Sequence, residues 1–216
     1  IFKDINSLAE AIINDLDSLS HSGTIKNIAI PGGNTPKKIF KIISETSRIK
    51  WENIRIFWTD ERCVSPDNKE SNYLLAKKFL LNRINIPEKN IFRIKGENNP
   101  EDEAIRYSKI ISEILGSTPS FDLILAGVGM DGHTASLFPG QAELLFSFNN
   151  YEVSTKSEIN NRRITMTGKL FFNAKKIIFC VTGNNKSSII QKIVETDFQC
   201  PVSTIIKIKK DYFLYA

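Results

Sequence analysis

The fold is read from Phe121-Asp-Leu-Ile-Leu-Ala126-Gly127-Val-Gly129-Met-Asp131-Gly132-His133-Thr-Ala-Ser136-Leu-Phe-Pro139. Apart from Asp122, the first six residues are apolar. This is the pattern of a strand buried on both faces, which parallel sheets covered by helices require. A glycine-rich loop then carries an acid and one of the two histidines in the chain. Working outward, short β-branched runs alternate with helical periodicity. Upstream, Asp4 to Leu19 sets Ile5, Leu8, Ala9, Ile12, Ile13 and Leu16 on one helical face. Ile25–Ile30 reads as a strand, followed by Pro31-Gly32-Gly33-Asn34-Thr35-Pro36. There a helix is expected to open with Thr35 as N-cap and Pro36 at its first position. Ile54–Trp58 reads as a strand leading into an Asp60-Glu61-Arg62 turn, with helices from about Ser71 to Leu81 and from Asn99 to Leu115. Downstream, strands are expected at Glu152–Thr155, Arg163–Thr167 and Lys176–Val181, then a helix capped by Asn184 and running to about Glu195, and a short mixed tail. The alternation predicts one α/β domain over residues 1–216, a mainly parallel sheet with helices on both faces. It shows no repeat, linker or low-complexity tract.

Composition narrows the class. The chain has 216 residues, 41% hydrophobic and 25% charged, enough to bury a core without covalent staples. Cys63, Cys180 and Cys200 are too few and too irregular for a disulfide framework or a zinc site, and read as reduced thiols of a cytosolic protein. No apolar stretch approaches the length of a membrane span. The chain starts Ile1-Phe2-Lys3-Asp4 and runs into an amphipathic segment rather than a signal peptide. The missing initiator Met suggests a trimmed chain. A net charge of +5, spread without an aromatic-rich basic stripe, favours anionic ligands without indicating nucleic acid.

In an open parallel sheet, ligands bind beyond the carboxyl ends of the strands. Four such ends carry notable residues. The Gly32-Gly33-Asn34-Thr35 loop can bring backbone N–H groups to an anion at a helix N-terminus, or be a plain turn. No Gly-Lys-Ser/Thr follows it, so it is not a Walker A loop. Arg62 can grip the same anion in bidentate fashion or merely pair with Asp60 or Glu61. Lys186, in a first helical turn, either opposes the macrodipole until an anion arrives or reaches into water. His133 lies two residues beyond Asp131, where a carboxylate can fix its tautomer for general-base work, or it bonds the backbone structurally. His21 sits in a polar connection and reads as solvated.

Other readings are weaker. Gly127-Val-Gly129-Met-Asp-Gly132 matches the dinucleotide fingerprint, and Glu152 lies near the expected ribose-binding offset. Phe138-Pro139-Gly140 would break the helix that the fingerprint requires, so a nicotinamide cofactor is not expected. Asp60, Glu61, Asp131 and His133 would need to converge to hold a metal, without a recognised ligand spacing. Cys63 beside Arg62 lacks a histidine partner for a nucleophile's role.

Six segments in order strongly resemble the 6-phosphogluconolactonase family, which is related to the glucosamine-6-phosphate deaminase and isomerase fold group. They are Pro31–Pro36, Phe57-Trp-Thr-Asp-Glu-Arg-Cys-Val64, Ser71-Asn-Tyr73, Phe121–Pro139, Arg163-Ile-Thr165 and Val181-Thr-Gly-Asn-Asn-Lys186. The departures are Pro31 and Asn34 in a loop more often Ser-Gly-Gly-Ser, and Thr59 where glycine usually precedes Asp-Glu-Arg. The resemblance implies hydrolysis of 6-phospho-D-glucono-1,5-lactone to 6-phospho-D-gluconate, a step of the oxidative pentose phosphate pathway. It implies His133 as base with Asp131 beside it. Gly32, Gly33, Asn34, Thr35, Arg62 and Lys186 would hold the phosphate, with Asp60 and Arg163 near the substrate. It implies no metal or other cofactor, a small phosphosugar lactone as the only partner, a monomer or homodimer, and a cytoplasmic location. The rivals are an aldose–ketose isomerase/deaminase, with Asp60 carrying a proton between carbons, and a non-catalytic sugar-phosphate sensor.

Overall fold

The computed structural model describes residues 4–156, 161–181, 187–195, 198–209 and 212–215. In chain order its elements are α1 (Ile5–Ser20), β1 (Lys26–Ile30), α2 (Asn34–Ile43), β2 (Ile54–Trp58), β3 (Asp60–Arg62), α3 (Asn72–Phe79), β4 (Ile91–Phe92) and α4 (Pro100–Leu115). There follow β5 (Leu123–Gly127), α5 (Ala142–Leu145), β6 (Tyr151–Lys156), β7 (Asn161–Met166), α6 (Gly168–Asn173), β8 (Ile177–Cys180), α7 (Ser187–Glu195), α8 (Pro201–Ile208) and β9 (Tyr212–Tyr215). Caps account for several boundaries. Asp4 accepts from Asn6 and Ser7 N–H at the start of α1, Ser71 from Leu74 N–H at α3, and Asn99 from Glu101 and Asp102 N–H at α4.

The main sheet is parallel, in the order β4-β2-β1-β5-β8-β9. Its interior strands are buried, and Phe57 stacks on Phe92 with ring centres 4.7 Å apart. The order reverses between β1 and β5, which opens a crevice at their carboxyl ends. The tail supplies more than expected, since α8 is followed by β9 as an edge strand beside β8.

Three expectations are corrected. The strands expected at Glu152–Thr155 and Arg163–Thr167 form, but in a separate antiparallel sheet ordered β3-β7-β6. With only residues 157–160 between β6 and β7, there is no room for the helical crossover that parallel pairing needs. Asp60-Glu61-Arg62 is not a turn but β3, paired with β7 in the register Asp60↔Thr165, Glu61↔Ile164, Arg62↔Arg163. Thr35 is not the N-cap of α2. The helix starts two residues earlier than expected, at Asn34 rather than Pro36, after Gly33, whose φ of +105° turns the chain without a side-chain cap. The expected cap at Asn184 lies outside the described residues.

Two buried tyrosines lock the sheets together beside the crevice. Tyr151 of β6 donates its hydroxyl to Trp58 O of β2 at 2.6 Å. Tyr107 of α4 donates to Phe92 O at 2.6 Å and accepts from Trp58 N–H at 3.2 Å. The backbone continues the seam, Thr59 N–H bonding Ile30 O and Met166 N–H bonding Thr59 O. The chain therefore leaves β2 in a fixed direction, straight into β3.

Candidate active site

A cavity of ≈ 380 Å³ lies over the crevice, lined by the Pro31–Pro36 loop, Asp60, Arg62, Asn72, the Gly127–Gly129 segment, His133, Ala135, Arg163 and Cys180. Of the residues expected at the site, it brings together Gly32, Gly33, Asn34, Thr35, Asp60, Arg62, His133 and Arg163. Asp131 stands behind His133, and Lys186 lies outside the described residues. A broader concavity of ≈ 770 Å³, lined among others by Val64, Ser65, Glu97 and Arg162, takes in Cys63 but none of these.

His133 is held by its own loop. Its Nδ1 is 2.5 Å from Asp131 Oδ1, and its backbone N–H donates to the same oxygen at 3.2 Å. Its ring lies against Phe138, with centres 4.9 Å apart. Gly129 makes room for this pair, since a Cβ there would overlap the imidazole and crowd Asp131. Burial alone would raise the Asp131 carboxyl, but the charge of His133 and the hydrogen bonds from it hold it below the ordinary value. An ionised Asp131 accepts from Nδ1–H, which leaves the lone pair on Nε2. The other histidine, His21, exposed at the end of α1, contacts Asp17 O at 2.9 Å through Nδ1 rather than being merely solvated.

Opposite stand two guanidiniums. Arg62 and Arg163 are directly paired across β3 and β7, like charges side by side. Each is tethered by Nη1, Arg62 to Glu70 O at 2.5 Å and Arg163 to Ser136 Oγ at 3.4 Å. Each Nε is buried without a partner. Burial, then the charge of Arg62, pushes Arg163 below its usual value, while Asp60 and Glu70 oppose this. Two half-buried guanidiniums thus lie side by side on one wall of the cavity.

The acids of β3 divide. Asp60 is nearly buried, with Oδ2 accepting from Ser136 Oγ at 2.7 Å and Oδ1 from Asn72 Nδ2 at 3.2 Å and Thr59 Oγ1 at 3.3 Å. Glu61 is a helix cap. It accepts from Asn72 N–H and Tyr73 N–H at 2.7 Å, from Arg62 N–H at 2.8 Å and from Ser71 Oγ at 3.0 Å. Burial pushes its carboxyl above the usual range against the pull of these bonds. The side chain of Arg62 thus pairs with neither neighbouring acid.

Among the described residues no three His, Cys, Asp or Glu side chains are grouped to hold a metal ion. Burial raises the Cys63 thiol to about 11, far from a nucleophilic thiolate. No helix follows Gly127–Gly132 before the single turn of α5, and Glu152 accepts from Ser147 and Asn149, so the dinucleotide reading fails. No described helix is long and apolar enough to cross a membrane.

Sequence reasoning missed Asn72 and Ser136. Asn72 packs where a Cβ on Gly32 would overlap it, so that glycine provides space, while Gly33 provides the left-handed turn.

The chain matches the family model for glucosamine-6-phosphate isomerases/6-phosphogluconolactonase over residues 3–214. It is 41% identical over 174 residues to a 6-phosphogluconolactonase of Aggregatibacter actinomycetemcomitans, covering 79% of this chain and 74% of that one. It is 35% identical over 198 residues to that of Treponema pallidum, covering 89% and 82%. The crystal structure of a protein called devB superposes with a TM-score of 0.94 at 37% identity, over 100% of this chain and 94% of that one. With the crevice, the tied histidine and the paired arginines, these similarities place the chain in the glucosamine-6-phosphate isomerase/6-phosphogluconolactonase family.

Proposed function

We propose that the protein hydrolyses 6-phospho-D-glucono-1,5-lactone to 6-phospho-D-gluconate, the residues 1–216 acting as one α/β lactonase domain. The observation that carries the reading is a carboxylate-tied histidine in the same cavity as two arginines paired in register across β3 and β7. The phosphate binds at Arg62 and Arg163, with backbone N–H groups of the Gly32–Thr35 loop and, following the family resemblance, Lys186. That contact is remote from the reacting carbon and positions the lactone carbonyl at His133. Nε2 of His133 removes a proton from water as the water oxygen attacks C1. The ring C–O bond then breaks, and the leaving ring oxygen takes the proton back from the imidazolium, so one water is consumed and one carboxylic acid is formed. Asp131 holds the tautomer and faces the imidazolium as it forms.

The route needs neither metal nor cofactor. Every group it uses comes from one chain, so it suits a monomer or a homodimer. Free thiols at all three cysteines agree with a reducing cytoplasm. A deaminase would need Asp60 to carry a proton between carbons, but three donors already occupy its oxygens.

The test is turnover of freshly made lactone by wild type and His133→Ala side by side. A loss of about 10²- to 10⁴-fold, with affinity for 6-phosphogluconate kept, is expected for loss of a general base. Equal rates would remove His133 from the mechanism. No rate above spontaneous hydrolysis in either protein, with ammonia released from glucosamine 6-phosphate, would overturn the lactonase reading.

A further inference from the structure

Ser136 is fully buried at the junction of the catalytic loop, β3 and β7. Its backbone is satisfied without its side chain: the N–H donates to Thr165 Oγ1 at 3.1 Å, and the C=O accepts from Ser154 Oγ at 2.6 Å. The turn it sits in closes through Leu137 N–H to Thr134 O. Ala135 adopts a φ of +49° there, a conformation disfavoured for alanine. None of this requires a hydroxyl. The hydroxyl instead stands between two charges that do not touch, donating to Asp60 Oδ2 at 2.7 Å and accepting from Arg163 Nη1 at 3.4 Å. Among the described residues Asp60 makes no ion pair, although the Arg163 guanidinium feels its charge.

We propose that Ser136 is a positioning residue: by engaging Asp60 Oδ2 and tethering Arg163 Nη1, it keeps carboxylate and guanidinium apart and leaves the cavity-facing side of the Arg163 guanidinium, with its charge, for a phosphate. Without the hydroxyl, Oδ2 loses its donor in a buried site, and Arg163 loses its tether. The nearest replacement for both is a direct ion pair, which turns the guanidinium away from the cavity and neutralises it. The proposal rests on the reading that Arg62 and Arg163 take the phosphate.

The experiment compares wild type, Ser136→Ala, Asp60→Asn and the double variant, with inorganic phosphate as the calorimetric probe and with KM and kcat on the lactone. Ser136→Ala is expected to weaken phosphate binding about tenfold, the scale of one hydrogen bond to a charged group, and to raise KM in parallel while kcat changes less. Adding Asp60→Asn removes the competing charge and is expected to restore most of that affinity. Phosphate affinity in Ser136→Ala within about twofold of wild type overturns the proposal, as does a loss that the double variant does not recover. If Ser136→Ala does not melt cooperatively, Ser136→Cys takes its place under the same criteria, having similar volume and a poor donor. If the lactone is not hydrolysed but the phosphate pattern holds, the lactonase reading fails while the role of Ser136 stands.

Discussion

At the scale of single residues, the site depends on side chains held by short local contacts and on two glycines that admit them. Gly129 has no left-handed backbone to justify it, and its reason is the imidazole packed against its Cα. Gly129→Ala is therefore expected to displace His133 from Asp131 and lower kcat by about 10²-fold or more, at little cost in melting temperature; activity beside a thermal melt checks this. The depressed Asp131 carboxyl carries a definite sign. A folded value below the unfolded one contributes stability above the ordinary aspartate pKa of about 3.9, which is lost as pH falls through the folded value. Asp131→Asn should flatten that part of the profile, so urea midpoints at about pH 5 and pH 3 will differ less in the variant than in wild type.

At the scale of elements, α3 is the support under the acidic wall. Its first two N–H groups end on Glu61 and its third on Ser71, while Asn72 reaches back to Asp60. Ser71→Ala removes the N-cap and one donor to Glu61 together. It is expected to cost about 1–2 kcal/mol in denaturant unfolding, and to raise KM because Asn72 moves with the helix end. A stability loss without a change in KM would separate α3 from the site. The pairing of β3 with β7 is the other decisive element contact, because a cross-strand register turns two arginines distant in sequence into neighbours.

At the scale of the whole molecule, the parallel sheet contributes the crevice and the loops over it, and the small antiparallel sheet contributes the cationic wall. A ligand that bridges them stabilises both. Inorganic phosphate at about 100 times its Kd should add about 2.7 kcal/mol of stability. Arg163→Ala should abolish the phosphate-dependent rise in melting temperature. Arg162→Ala should keep it, since that side chain pairs with Glu101 and lines the other concavity. Equal rises in all three proteins would remove Arg163 from the phosphate site.

Much of this was legible in the chain. Hydrophobic periodicity and capping residues located most elements within a residue or two, because both act over a few neighbouring positions. The grouping of loops at strand ends followed from the rule that parallel sheets bind at their carboxyl edge. The Asp131–His133 pair was readable because its members are two residues apart and share a loop. Other features needed the third dimension. Arg62 and Arg163 became a pair, Glu61 became a helix cap, and Ser136 came between Asp60 and Arg163. Each of these contacts depends on which strand pairs with which and in what register. Long-range pairing is decided by packing of the whole chain rather than by any local pattern, so the contacts emerged only from the tertiary structure.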